Sequence, residues 1–221
     1  RNQVVRYTDV SGSASRTSID MEIQGYEDRI RVLTQRLSDD LARRSRRMIA
    51  RLREDVERDG LTGLYNRRYF DERLPRELEN IVRHDRYLSV AMIDLDTFGE
   101  VNRTYGFPGG DRALILAATT FQESVRTVDW IARYGGEEFV VVMPDTELHE
   151  AVAVAERIRE RAEAGVTHAV DGREIRITAS IGVVELDGTL LEAAPPVPDF
   201  IQRASDKVRE AKTGGRNRVC G

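Results

Sequence analysis

The chain of 221 residues contains one cysteine and three histidines. It has no apolar run approaching the roughly 20 residues that a bilayer-spanning helix needs. The lone Cys220 excludes an internal disulfide framework and a cysteine-based metal site. His84, His149 and His168 are scattered. The absence of paired cysteines fits a reducing, cytoplasmic setting, and no secretory leader is visible. Positive charge is not in excess either: 34 Lys and Arg against 38 Asp and Glu leave a net charge of −4. That balance speaks against nucleic acid as a partner of the whole molecule. Any bound anion must be held by local cations or backbone N–H groups. The chain opens on Arg1 rather than Met, which suggests an excerpt of a longer protein with a sensor or membrane segment upstream. What is present is 40% hydrophobic and 33% charged, a globular composition. The length allows one medium domain with an appendage, or two small ones.

Residues 1–18 are polar, with Ser11, Gly12, Ser13 and Ser15 close together, and predict a linker or the end of a preceding module. A different pattern begins at Ile19. Apolar residues fall at Ile19, Ile23, Tyr26, Ile30, Leu33 and Leu37, alternating steps of four and three, which is a heptad seam. It resumes at Leu41, Met48, Leu52 and Val56 after a second consecutive step of four, a stutter. No proline interrupts 19–59, and Gly25 is the only glycine within that stretch. One helix of about ten turns over 19–57 follows. Its narrow apolar stripe and densely charged remaining faces predict a two-stranded coiled coil rather than a helix folded onto its own domain.

After Asp59-Gly60 the pattern becomes α/β. Helices are predicted over 68–83, 111–128, 147–164 and 199–212. Strands are predicted over 87–95, 129–134, 138–143 and 175–186, with a short closing strand at 218–220. Gly135-Gly136 between two strands is a hairpin signal. The domain boundary falls near Arg58.

Two segments carry chemistry. The apolar strand 87–95 ends in Asp94-Leu95-Asp96. Carboxylates at such an end suit Mg²⁺, which takes hard oxygen ligands from one or two carboxylates plus substrate phosphates. Equally, the strand could simply end in solvent. The second segment is Arg133-Tyr134-Gly135-Gly136-Glu137-Glu138-Phe139. Two glycines without side chains let a phosphate approach the backbone closely. Glu137 follows at once and could complete a metal site opposite Asp94. The bland alternative is an ordinary hairpin with a charged tip.

Together these segments resemble the GGDEF family of diguanylate cyclases, in its Gly-Gly-Glu-Glu-Phe variant. The resemblance covers residues 59–221. Asp59-Gly60-Leu61-Thr62-Gly63-Leu64-Tyr65-Asn66-Arg67-Arg68 is similar to the family's opening motif. Asp94-Leu95-Asp96-Thr97-Phe98 is similar to its metal-binding strand end. Asn102, Gly106, Gly110 and Asp111 match its guanine-binding segment, and Lys212-Thr213-Gly214-Gly215-Arg216-Asn217 its C-terminal signature. The resemblance implies an α+β, palm-like domain with a mostly antiparallel central sheet flanked by helices. It implies Mg²⁺, or Mn²⁺ in its place, on the side chains of Asp94 and Glu137 and the Leu95 carbonyl. Asn102 and Asp111 would read guanine; a carboxylate there accepts from guanine N1 and N2, a donor pair that adenine lacks. Lys212 and Arg216 would neutralise the triphosphate, with Arg133 assisting. Thr97, Phe98 and the Gly135–Gly136 turn would offer N–H groups to phosphates, with Glu138 beside them. Glu137, or a metal-bound water nearby, is the candidate to accept the hydroxyl proton. The implied reaction joins two GTP into cyclic di-GMP and needs a homodimer, since each domain holds one substrate.

The chain departs from the family pattern twice. Gly99 stands where many members carry Lys, which would cost a phosphate contact. Phe107, followed by Pro108, stands where many carry His, which would alter the mouth of the base pocket. Arg126-Thr127-Val128-Asp129, with five residues between it and Gly135, matches the family's inhibitory product site. Arg157 or Arg161 would add a contact there. The coiled coil would carry a signal from upstream, its stutter permitting two registers. Three other readings fit less well. A non-enzymatic receptor for cyclic di-GMP or GTP requires a broken catalytic site. A cyclase for mixed dinucleotides is opposed by Asp111. A pure dimerisation module is the third.

Overall fold

The computed structural model describes residues 10–221, and side chains from Met21 onward except at 47 and 49–55. The described chain divides into two compact units between Glu54 and Asp55.

The first unit is helical. Helix α1 (Val10–Glu57) runs 48 residues, about 72 Å at 1.5 Å per residue. Residues 10–18, expected as a linker or the end of a preceding module, are helical. They are polar but contain no proline, and extending an existing helix is far easier than starting one. The expectation for residues 1–9 lies outside the described residues. Ile23, Tyr26, Ile30, Leu33, Leu37, Leu41 and Met48 are all exposed on α1. Side chains at 19 and 52 lie outside the described set.

The second unit is a six-stranded sheet between two helical layers. Its order is β1 (Tyr65–Asn66), β3 (Trp130–Arg133), β4 (Glu138–Pro144), β2 (Tyr87–Leu95), β7 (Ala179–Asp187) and β8 (Val219–Cys220). The three central pairings are antiparallel, while β1 on β3 and β8 on β7 are parallel. Strand β2 is buried from Leu88 to its end. Its period of two sends Leu88, Val90 and Met92 to one core, with helices α2 (Arg67–Arg83) and α5 (Val197–Thr213). Ala91, Ile93 and Leu95 go to the other, with α3 (Phe98–Gln122) and α4 (Leu148–Ala164). Local signals set the helix starts. The Asn66 side chain accepts the Tyr69 N–H at the head of α2, and Glu147 with Glu150 forms a capping box on α4.

The structure corrects two predicted elements. The helix predicted over 111–128 is α3, which starts at Phe98 and stops at Gln122. Gly106-Phe107-Pro108 only kinks it: Gly106 takes φ 71°, ψ 172°, and Pro108 sits where a new helical start tolerates it. Beyond Gln122 the chain turns, and Asp129 Oδ2 accepts the Arg126 N–H at 2.8 Å. The strand predicted over 175–186 is divided. Glu174–Ile175 (β6) pairs with Thr167–His168 (β5) in a small separate hairpin, and β7 starts only at Ala179.

Candidate active site

The β2–β4 register sets Asp94 opposite Glu138, and the Leu95 N–H donates to the Glu137 carbonyl at 3.2 Å. Glu137 therefore sits beside the end of β2. Asp94 is buried. Its Oδ2 lies 2.6 Å from Lys212 Nζ at the end of α5, and its Oδ1 has no hydrogen-bond partner. Burial raises the Glu137 carboxyl above its ordinary range, the Asp94 charge adds to this, and Lys212 only partly opposes it. Two carboxylates thus share one ammonium, and one buried oxygen lacks a donor. Among the described residues no group of three or more His, Cys, Asp or Glu converges. The donor set is two carboxylates with main-chain oxygen nearby, which fits a hard divalent cation that completes its shell with phosphate and water.

The residues predicted from the hairpin do not all take the expected places. Arg133 is no free cation for phosphate. Its Nε and one terminal nitrogen donate to the Gly136 carbonyl at 3.1 and 2.7 Å, and the other terminal nitrogen reaches the Asp59 carboxylate at 3.1 and 3.2 Å. It fixes the turn to the opening loop. The Gly135 N–H is likewise spent, donating to the Glu138 carbonyl at 3.1 Å. A Cβ on Gly135 would come within 2.4 Å of Glu138 Oε2, so Glu138 lies against the turn. Gly136 faces open space. Asp59 is the residue that sequence reasoning passed over. Burial opposes its ionised form, but the Thr62 hydroxyl and N–H and the Arg133 guanidinium outweigh that and hold its carboxyl below the ordinary 3.8.

Thr97 takes a left-handed conformation, φ 53°, and turns the chain into the first turn of α3. Phe98 is in the core, leaving its backbone at the helix start. The Gly106 kink brings the two halves of α3 together. A Cβ on Gly110 would lie 1.9 Å from Asn102 Oδ1, so the Asn102 amide rests on Gly110, one residue from exposed Asp111. The β5–β6 hairpin braces this bend: Arg112 donates to the His168 carbonyl at 2.7 Å and the Tyr105 hydroxyl to the Glu174 carbonyl at 3.0 Å. No sequence signal pointed to that brace. Gly99 has open space around it, and Phe107 is 79% exposed. Arg216 is exposed with φ 64°.

Residues 56–218 match the family described as diguanylate cyclase, GGDEF domain. The chain belongs to the GGDEF family. It is similar to diguanylate cyclase DosC of Escherichia coli, 38% identical over 167 residues, covering 76% of this chain and 35% of DosC. The chain thus spans about a third of the length of the curated relatives it matches. Among solved structures it is similar to diguanylate cyclase SiaD of Pseudomonas aeruginosa, crystallised with its activator SiaC. The TM-score is 0.74 and the identity 33%, over 97% of this chain and 81% of that one. The coiled coil and GGDEF domain of DgcB from Caulobacter crescentus, in complex with c-di-GMP, matches with TM-score 0.74 and 29% identity, over 85% of this chain and 98% of that one.

The Arg126–Asp129 segment of this GGDEF domain borders a cavity of about 410 Å³, lined also by Arg58, Tyr65, Arg73 and Trp130. Burial pushes the Asp129 carboxyl up, opposed by the Arg126 N–H and by the Arg126 and Arg157 charges; its Oδ1 is buried without a partner. Arg157 and Arg161, of which one was expected as an extra ligand contact, both brace the loop. Arg157 donates to the Ser124 carbonyl at 3.0 and 2.7 Å, and Arg161 to the Glu123 carbonyl at 2.9 Å. The cations that line the cavity beside Arg126 are Arg58 and Arg73.

Proposed function

We propose that this GGDEF domain is a diguanylate cyclase that condenses two GTP into cyclic di-GMP with release of two pyrophosphates. The observation that carries the reading is the buried Asp94, 2.6 Å from Lys212 and close enough to Glu137 to raise its carboxyl. Asp94, Glu137 and the Leu95 carbonyl would hold Mg²⁺ or Mn²⁺, which supplies neutralisation of developing phosphate charge. Lys212 and Arg216 add fixed cations to the triphosphate, and Asn102 and Asp111 select guanine. Arg133 keeps the turn rigid, so that phosphate meets a preorganised backbone. The 3′-hydroxyl of one GTP attacks the α-phosphorus of the other, pyrophosphate leaves, and the step repeats. One domain holds half the reactants, so the exposed stripe of α1 would pair two copies and bring the sites face to face. We place the product also at Arg126 and Asp129, where the unpartnered Asp129 oxygen and the neighbouring arginines suit a guanine and a phosphate. Binding there would inhibit the enzyme. An upstream sensor would act through the coiled coil, in the cytoplasm. Among the described residues no helix is long and apolar enough to cross a membrane.

The test is incubation of nucleotide-free protein with GTP and Mg²⁺, beside a parallel reaction with ATP, with products resolved by mass spectrometry. Cyclic di-GMP from GTP alone, lost in Glu137→Gln, is the expected result. Absence of product at high protein concentration, with binding of cyclic di-GMP intact, would instead make the domain a receptor. That second reading is favoured by one observation, the Asp129 cavity.

A further inference from the structure

Asp96 lies two residues past Asp94 at the same strand end, but its carboxylate is fully engaged. It is 4% exposed. Its Oδ1 accepts the Ser180 hydroxyl at 2.7 Å, and its Oδ2 accepts the Thr178 hydroxyl at 2.8 Å and the Asn217 N–H at 3.0 Å. The last bond spans 121 residues of sequence. Asn217 ends a run of three left-handed residues, with φ of 118° at Gly215, 64° at Arg216 and 44° at Asn217. Arg216 and Asn217 carry a Cβ, so this conformation costs free energy and persists only where surroundings impose it. The Arg216 N–H donates to the Ala211 carbonyl, and Arg159 donates to Asn217 Oδ1 at 3.2 Å. Of these bonds, only the one to Asp96 ties the turn to the strand end that carries Asp94. The turn follows Lys212, whose ammonium touches Asp94, and it carries Arg216.

We infer that Asp96 is a positioning residue: it clamps the 214–217 turn that closes α5, so that Arg216 in the turn and Lys212 at the helix end stand in fixed register with Asp94 over the substrate triphosphate. A carboxylate suits this task. It accepts all three bonds at once, and bonds to a charged acceptor are about twice as strong as neutral ones. Asparagine keeps the shape, and the Ser180 hydroxyl can reverse to accept from its amide, but the bond to the Asn217 N–H becomes a weaker neutral one. The inference rests on the reading of the site as one for GTP.

The experiment measures binding of 3′-deoxy-GTP and 3′-deoxy-GMP, with Mg²⁺, to the full chain by titration calorimetry. Both lack the attacking hydroxyl, and they differ only in the phosphates that the turn would hold. The parent should bind the triphosphate much more tightly. Asp96→Asn should lose about ten- to a hundredfold in triphosphate affinity, with the monophosphate changed by less than about twofold. Ser180→Ala, which touches only the other carboxylate oxygen, should keep the parental ratio. Thr178→Val, which removes one of two bonds at Oδ2, should shift the ratio in the same direction by less. Equal losses for both ligands in Asp96→Asn, or an unchanged ratio, would overturn the positioning role. If Asp96→Asn does not fold, an unchanged ratio in folded Thr178→Val overturns it. A parent that does not distinguish the two ligands would instead sink the GTP reading itself.

Discussion

The residue scale shows how little side-chain identity says without its partners. Asp94 on β2 and Asp96 just past its end lie two residues apart, yet one has a bare buried oxygen and the other has three donors. Arg133 reads as a phosphate cation, and the structure spends it on Asp59 and the Gly136 carbonyl. Gly110 is legible as a family position, but its reason is steric: a Cβ would strike Asn102 Oδ1 at 1.9 Å. Gly110→Ala should therefore push the Asn102 amide aside and raise the KM for GTP about tenfold or more, with a smaller change in kcat, in steady-state kinetics. Asp129 gives a second prediction. Burial raises its folded carboxyl above the unfolded value, so ionisation at neutral pH works against the fold. Asp129→Asn keeps the acceptor for the Arg126 N–H and removes that charge. Its Tm at pH 7 should equal or exceed the parent's, while calorimetry shows cyclic di-GMP binding lost.

At the scale of elements, the long-period patterns were legible and the interruptions were not. The strand 87–95 was read with its observed bounds, because burial on both faces leaves a continuous apolar run. The helix placed over 111–128 missed the first half of α3, because Gly106 and Pro108 interrupt the helical pattern between Phe98 and Asp111. The 175–186 strand was misread for a different reason. Thr178 gives its carbonyl to the Asp96 N–H and its hydroxyl to the Asp96 carboxylate, which takes the chain out of one hairpin and into the main sheet. The opening loop and the Gly135–Gly136 hairpin are joined by Asp59 and Arg133, and this junction has a pH signature. Asp59 has a folded value below its unfolded one, so its contribution to stability is present above pH 3.8 and is lost as pH falls through the folded value. Asp59→Asn should thus be less stable than the parent at neutral pH in urea unfolding. The difference should shrink as the pH is lowered below 3.8.

For the whole molecule the proposed reaction turns on the encounter of two domains. If each site holds one GTP, specific activity must rise with protein concentration until the dimer saturates. The exposed stripe Ile23, Tyr26, Ile30, Leu33 and Leu37 is the surface proposed to set that concentration. Ile30→Glu with Leu33→Glu should place like charges along the seam. The dimer should weaken about tenfold or more in analytical ultracentrifugation, and activity at low concentration should fall with it. Folding of the 56–218 domain, followed by its thermal transition, should be unaffected.

The sequence by itself determined the family and offered the heptad pattern and the candidates for metal, base and phosphate. These are properties of residue type at fixed spacing, and they need no partner to be read. Tertiary structure alone decided which candidates are free to meet a ligand. That depends on hydrogen bonds between residues far apart in the chain: Asp59 with Arg133, Asp96 with Asn217, Asp94 with Lys212. No local pattern encodes such a pairing, because each becomes possible only when the sheet register and the packing of α5 bring the two ends together.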